Sequence, residues 1–165
     1  MPYHQIPVGR VIREFQNLKK NMKSSHSTLM LLGDQLFPLE YVKKINPDSI
    51  FMGEDYQLCR HFKHHKQKIV LFFAAMRQYA QDLEKSGFTV IYHKLAPGSI
   101  FSKLLAHVKA SKVKKIHYFS IDDCYCRKDF LAQLQDFDLV EHTSPKFLGT
   151  IKDFKEYLNQ SKNRS

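Results

Sequence analysis

An open parallel α/β sheet with helices on both faces is the fold class this sequence predicts, and three observations carry it. Apolar runs rich in Val, Ile, Phe and Tyr recur along the chain with helix-forming stretches between them. The connections are short, and strands that strictly alternate with helices pair in parallel and are covered on both faces. Two of the runs end in a glycine followed by a carboxylate, Gly33-Asp34 and Gly53-Glu54, as when such a sheet delivers the chain to a ligand crevice. A length of 165 residues is enough for one domain with a single good core.

Residues 1–27 read as an N-terminal extension, and 28–165 as the α/β domain. In the extension Val11, Ile12, Phe15, Leu18 and Met22 recur at helical spacing with Arg13, Lys19, Lys20 and Lys23 between them, the pattern of a basic amphipathic helix. Strands are predicted at Thr28–Leu32, Ser49–Met52, Phe88–Tyr92, Lys115–Ser120 and Asp138–Val140. Helices are predicted at about Leu39–Lys44, His64–Ser86, Ser99–Ser111, Tyr125–Asp136 and Ile151–Ser161. The second of these is the best defined, because Ile69, Phe72, Phe73, Met76, Ala80 and Leu83 form one stripe at steps of three and four. Ile69–Met76 taken alone could be a buried strand; the strong helix formers of Arg77–Lys85 decide for helix, and Ser86-Gly87 supplies the stop.

Composition narrows the function classes. No apolar stretch reaches the roughly 18 residues that span a bilayer, and no apolar h-region follows the N-terminal basic residues. Three cysteines, Cys59, Cys124 and Cys126, are too few and too odd for a disulfide framework, so a reducing cytoplasm is the expected compartment. A formal charge of +10 favours an anionic partner, nucleic acid foremost.

Ligands of parallel sheets sit beyond the carboxyl ends of the strands. There, Gly33 and Gly53 let a ring or a phosphate approach the backbone, while Asp34, Gln35 and Glu54 offer polar contacts. Asp34 and Glu54 could equally be loop or cap residues. Gly33-Asp34-Gln35-Leu36-Phe37-Pro38 has neither G-x-G-x-x-G nor a P-loop, which excludes the usual dinucleotide and NTPase fingerprints. His61, His64 and His65 lack the glutamate of a zincin and lie among Arg60, Lys63, Lys66 and Lys68, so no metal site is expected. These cations suit phosphate or nucleic-acid contact better, or a solvated helix start. Cys124-Tyr125-Cys126 is not a C-x-x-C redox pair, and no nucleophile elbow occurs, so no catalytic residues are assigned.

The blocks Leu32-Gly-Asp-Gln-Leu, His64-His-Lys-Gln-Lys-Ile, Ala75-Met-Arg and Gly87-Phe-Thr-Val-Ile-Tyr, in this order, resemble the N-terminal domain of the photolyase-related family. Its members are the bacterial (6-4) photolyases and cryptochromes that carry an iron–sulfur cluster. Pro145-Lys-Phe-Leu and Asp153-Phe-Lys-Glu-Tyr continue the match, which spans about Thr28 to Leu158. The resemblance implies a Rossmann- or flavodoxin-like three-layer fold with a five-stranded parallel sheet. It also implies an antenna site for 6,7-dimethyl-8-ribityllumazine or another chromophore, formed by Gly33, Asp34, Gln35, Glu54, His61, His65 and Phe72. Where the family has a glutamate, a tyrosine and an isoleucine in that site, this chain has Leu58, His61 and Phe72. The family's helical domain, which holds FAD and the cluster and binds DNA, would follow Ser165. The expectation is therefore an antenna-type domain with no FAD or cluster of its own and no photorepair alone, served by a flavin-bearing partner chain that provides any DNA contact. The alternatives are a basic nucleic-acid- or nucleotide-binding module, or the remnant of a truncated gene.

Overall fold

The structure, a computed structural model, describes residues 26–61, 63–147, 149 and 151–162, without the side chains of Leu58, His61, Ile151, Ser161 and Lys162. The segment expected to form the N-terminal basic helix lies outside the described residues, and Ser27 already belongs to the first strand. Five strands, β1 (Ser27–Leu31), β2 (Ser49–Gly53), β3 (Val90–His93), β4 (Lys115–Phe119) and β5 (Asp138–His142), alternate with helices. The described helices are α1 (Leu39–Ile45), α2 (Tyr56–His61), α3 (Lys66–Lys85), α4 (Ile100–Ala110), α5 (Cys124–Leu134) and α6 (Ile151–Lys162). None is long and apolar enough to cross a membrane.

All pairings are parallel and the strand order is β3-β2-β1-β4-β5. That is the Rossmann order, in which the second half of the sheet starts beside β1 and grows the other way. Burial follows position in the sheet. The inner strands β1 and β2 are buried from their second residue onward, whereas the edge strands β3 and β5 have no fully buried residue. On one face Met30, Phe51, Ile116 and Tyr118 pack against Leu104 and Val108 of α4 and Phe130 and Leu134 of α5. On the other, Leu29, Leu31, Ile50 and Met52 meet Val42 of α1 and Ala80 and Leu83 of α3.

The stripe on α3 divides in two. Phe73, Met76, Ala80 and Leu83 are buried, while Ile69 is half-buried and Phe72 is 41% exposed, so the first turns line a cavity instead of filling the core. The helix begins at Lys66 because His65 caps it, its Nδ1 accepting the Gln67 N–H at 3.3 Å. It ends in a Schellman motif: Gly87 sits at φ +91°, Phe88 N–H donates to Leu83 C=O and Gly87 N–H to Glu84 C=O. The same motif closes α4, but with Lys112 at φ +53° in the glycine position. The short helix α2 was not expected; Asp55 starts it by accepting the Gln57 N–H at 2.7 Å.

Candidate functional site

The strand order places the topological switch point between β1 and β4, whose following helices α1 and α5 lie on opposite faces. There a cavity of about 390 Å³ opens, inside the range of small-molecule sites. Leu32, Ile69, Phe72, Phe73, Met76 and Ile121 make its apolar wall. Gly33 is the reason the wall is close: a Cβ there would stand 2.6 Å from the Phe72 ring and 2.7 Å from the Met76 sulfur. At Gly53 a Cβ would stand 2.2 Å from Ile100.

The rim is acidic. Asp34, Asp55, Asp122 and Asp123 line the cavity together with Lys68 and His64. Two of these carboxylates cap helices, Asp55 for α2 and Asp123 for α5, where it accepts the Cys126 N–H at 2.7 Å. The other two meet on one cation. Lys146 Nζ, from the loop after β5, donates to Asp34 Oδ2 and to Asp122 Oδ2, the latter at 3.0 Å.

Gln35 lines the cavity but has its amide committed to the backbone, and Glu54 acts from behind the wall. Gln35, 1% exposed, accepts the Leu32 N–H and donates to the carbonyls of Phe119 and Ser120, which ties the β1 loop to the end of β4. Glu54 is fully buried and is absent from the cavity lining. Its Oε1 accepts from Arg77 Nε (2.7 Å) and Tyr92 Oη (2.9 Å), and its Oε2 from Arg77 Nη2 (3.1 Å) and the Leu95 N–H (2.8 Å). About four acceptor sites exist on a carboxylate, and all are taken. Burial by itself would raise the Glu54 pKa, but the Arg77, Leu95 and Tyr92 hydrogen bonds and the Arg77 charge outweigh it and hold the group below its ordinary value.

Of the remaining sequence-derived positions, Phe72 lines the cavity and His65 is exposed at the α3 cap, outside the lining. His61 ends α2, and its side chain lies outside the described residues, as does that of Leu58. Arg60, Lys63, Lys66 and Lys68 are exposed around the α2–α3 corner. Arg60 stacks on Tyr56 at 5.6 Å, and Lys68 reaches the cavity. Arg77, farther along α3, is the partner of Glu54.

Cys59 and Cys126 also line the cavity. Burial, and then neighbouring carboxylates, raise both thiols; Cys126 is pushed up to about 11. Both stay protonated at neutral pH and are poor nucleophiles. Among the described residues no group of three or more His, Cys, Asp or Glu side chains could hold a metal. The arrangement therefore suits non-covalent binding of a flat, largely apolar molecule with a polar edge. Lys146 and the cavity cysteines could not be assigned to the site from sequence because only the sheet order brings them to Gly33.

The family model for deoxyribodipyrimidine photo-lyase-related protein matches residues 29–165. A (6-4) photolyase of Agrobacterium fabrum is 37% identical to this chain over 71 residues, which is 41% of this chain and 14% of that protein. The match thus spans a small part of the relative's length.

Proposed function

The chain belongs to the deoxyribodipyrimidine photo-lyase-related family, and from that premise we propose that it is an antenna-type domain whose switch-point cavity takes a small, unphosphorylated heteroaromatic, lumazine- or flavin-like. The observation that carries this reading is the cavity's composition, an apolar slot closed by Phe72 and Met76 over Gly33 and rimmed by four aspartates. A planar ring fits between Phe72, Met76 and Ile121, out of water. The oxygens of Asp34 and Asp122 that Lys146 leaves open accept from ring N–H groups or the hydroxyls of a polyol chain. Glu54 holds the wall from behind, and Gln35, which lines the cavity, has its amide committed to Leu32, Phe119 and Ser120.

The rim opposes a phosphate: carboxylates outnumber the cations there, and no glycine-rich loop offers a run of N–H donors. A cavity of about 390 Å³ is also short for a dinucleotide. In this reading the bound chromophore supplies light absorption, and the protein supplies orientation and exclusion of water. Repair chemistry is assigned to a flavin-bearing partner, not to this chain.

Fluorescence titration of the purified protein with ribityllumazine, riboflavin, FMN and FAD tests the proposal. Saturable uptake of one of the first two, with FAD excluded, is expected; failure of all four to bind ends it. A second reading, polyanion contact through Arg60, Lys63 and Lys66, draws on their exposure and on the absence of any ion pair to them among the described residues. It requires oligonucleotide binding that weakens steeply with salt.

A further inference from the structure

Four carboxylates line the cavity, but they differ in what already holds them. Asp55 and Asp123 cap α2 and α5, so their positions are fixed by helix geometry. Asp34 and Asp122 have no capping role. They come from the loops after β1 and β4, the two strands that flank the switch point, and meet only at Lys146 Nζ. Lys146 reaches them from a third loop, after β5, and its side chain is 24% exposed. That loop is itself anchored: Ser144 is buried, and its hydroxyl accepts the Lys146 N–H at 3.4 Å. Among the described residues, the second oxygen of Asp34 and of Asp122 has no protein donor, so each keeps an acceptor for a ligand.

Two ionised carboxylates converging on one point repel, and a single cation shared between them removes most of that cost. The same cation fixes their spacing, because Lys146 supplies up to three N–H donors from one atom. It also cancels one unit of negative charge at the mouth of the cavity. We propose that Lys146 is the specificity-determining positioning residue of this site: it presents Asp34 and Asp122 as paired acceptors for the polar edge of an uncharged ligand, and it sets how strongly the mouth rejects an anionic one. The inference rests on the chromophore reading and adds to it a residue and a selectivity rule.

The test compares riboflavin with FMN, which share a ring system and differ by a phosphate, on wild type, Lys146→Met, Lys146→Arg and Asp34→Asn. Removing one positive charge some 7 Å from a phosphate dianion weakens FMN relative to riboflavin about five- to tenfold at low salt. The FMN-to-riboflavin Kd ratio therefore rises by that factor in Lys146→Met, stays near wild type in Lys146→Arg and falls in Asp34→Asn. A lysine that merely tied loops together would change both affinities by the same factor, and an unchanged ratio overturns the inference while the chromophore reading stands. If wild type binds neither flavin nor ribityllumazine, both fall.

Acylation with acetic anhydride, read by peptide mass spectrometry, needs no ligand. Burial alone would lower the Lys146 pKa, but the bonds to Asp34 and Asp122 and their charges raise it, so its amine is the less nucleophilic one. Lys146 is expected to react more slowly than Lys63 and Lys66, and faster once Asp34 and Asp122 are both changed to Asn. Equal rates in wild type refute the clamp itself.

Discussion

Changing Glu54 to Gln separates two roles that the same carboxylate could play. As a ligand contact, Glu54 would be dispensable for folding and needed for binding. As the structure has it, four protein donors converge on a side chain with no exposed surface. A glutamine in its place keeps one acceptor oxygen and puts an N–H₂ where an acceptor stood. If its oxygen takes the Leu95 N–H and Arg77 Nη2, the new N–H₂ faces Arg77 Nε–H, donor against donor. Breaking a fully buried ion pair costs about 3–5 kcal/mol. The Arg77 side chain is 50% exposed and recovers hydration when its partner is lost, so the lower end, about 3 kcal/mol, is the expected destabilisation. For a chain of this size that lowers the melting midpoint by about 6–12 °C. Tyr92→Phe removes one of the four bonds and serves as the internal scale, at about 1–2 kcal/mol. Urea unfolding followed by circular dichroism gives both numbers. A Glu54→Gln protein that unfolds within about 0.5 kcal/mol of wild type, yet has lost chromophore binding, would refute the assignment of Glu54 to the wall.

Three further outcomes are expected. Gly33→Ala pushes a methyl to within 2.6 Å of the Phe72 ring and 2.7 Å of Met76; because Phe72 is half-exposed and can swing away, ligand affinity should fall much more than stability, as titration beside thermal unfolding would reveal. Lys112→Gly relieves a left-handed residue at the end of α4 and should stabilise by about 1 kcal/mol; a loss of stability in urea would argue that the Lys112 side chain matters. The four histidines His93, His107, His117 and His142 have pKa values lowered below 6.5, by burial first and, for all but His142, by neighbouring positive charge as well. The unfolded chain therefore takes up protons near pH 6.5 that the folded chain takes up only at lower pH, so stability is full above about 6.5 and declines below it. The decline due to Glu54 starts lower, below its ordinary 4.5. Urea midpoints between pH 7.5 and 5.0 should fall in that first window, and a flat profile would contradict the buried-imidazole assignment.

The strands were legible because this sheet writes its topology into composition. Leu29–Leu31 and Ile50–Met52 are buried on both faces, so they read as unbroken apolar runs. The helix α3 was legible from its stripe, but not the change of role within it. Periodicity assigns Ile69 and Phe72 to the same face as Phe73 and Met76, and nothing local says that the sheet has ended beneath them. The helix α2 was missed because six residues hold too few turns to develop a stripe, and its one signal, Asp55 before Tyr56, is a single capping carboxylate with no periodic run behind it. The order of the strands, which puts β4 and not β3 beside β1, depends on crossovers that no local pattern encodes.

The same limit explains which site residues the sequence could name. Asp34 was legible because it follows the glycine ending the apolar run of β1, and Gly33 because only a side chain reduced to hydrogen admits Phe72 so close. Glu54 occupies the equivalent place after β2 and looks the same in sequence, yet its carboxylate is saturated where that of Asp34, among the described residues, keeps an open oxygen. The difference lies in Arg77 and Tyr92, 23 and 38 residues away, as against Lys146, 112 residues away. A carboxylate at a strand end is thus a candidate until its donors are counted. Among the described residues the count leaves Asp34 and Asp122 with one oxygen each, and Lys146 joins the two carboxylates, so a ligand that covers those oxygens must supply donors to them.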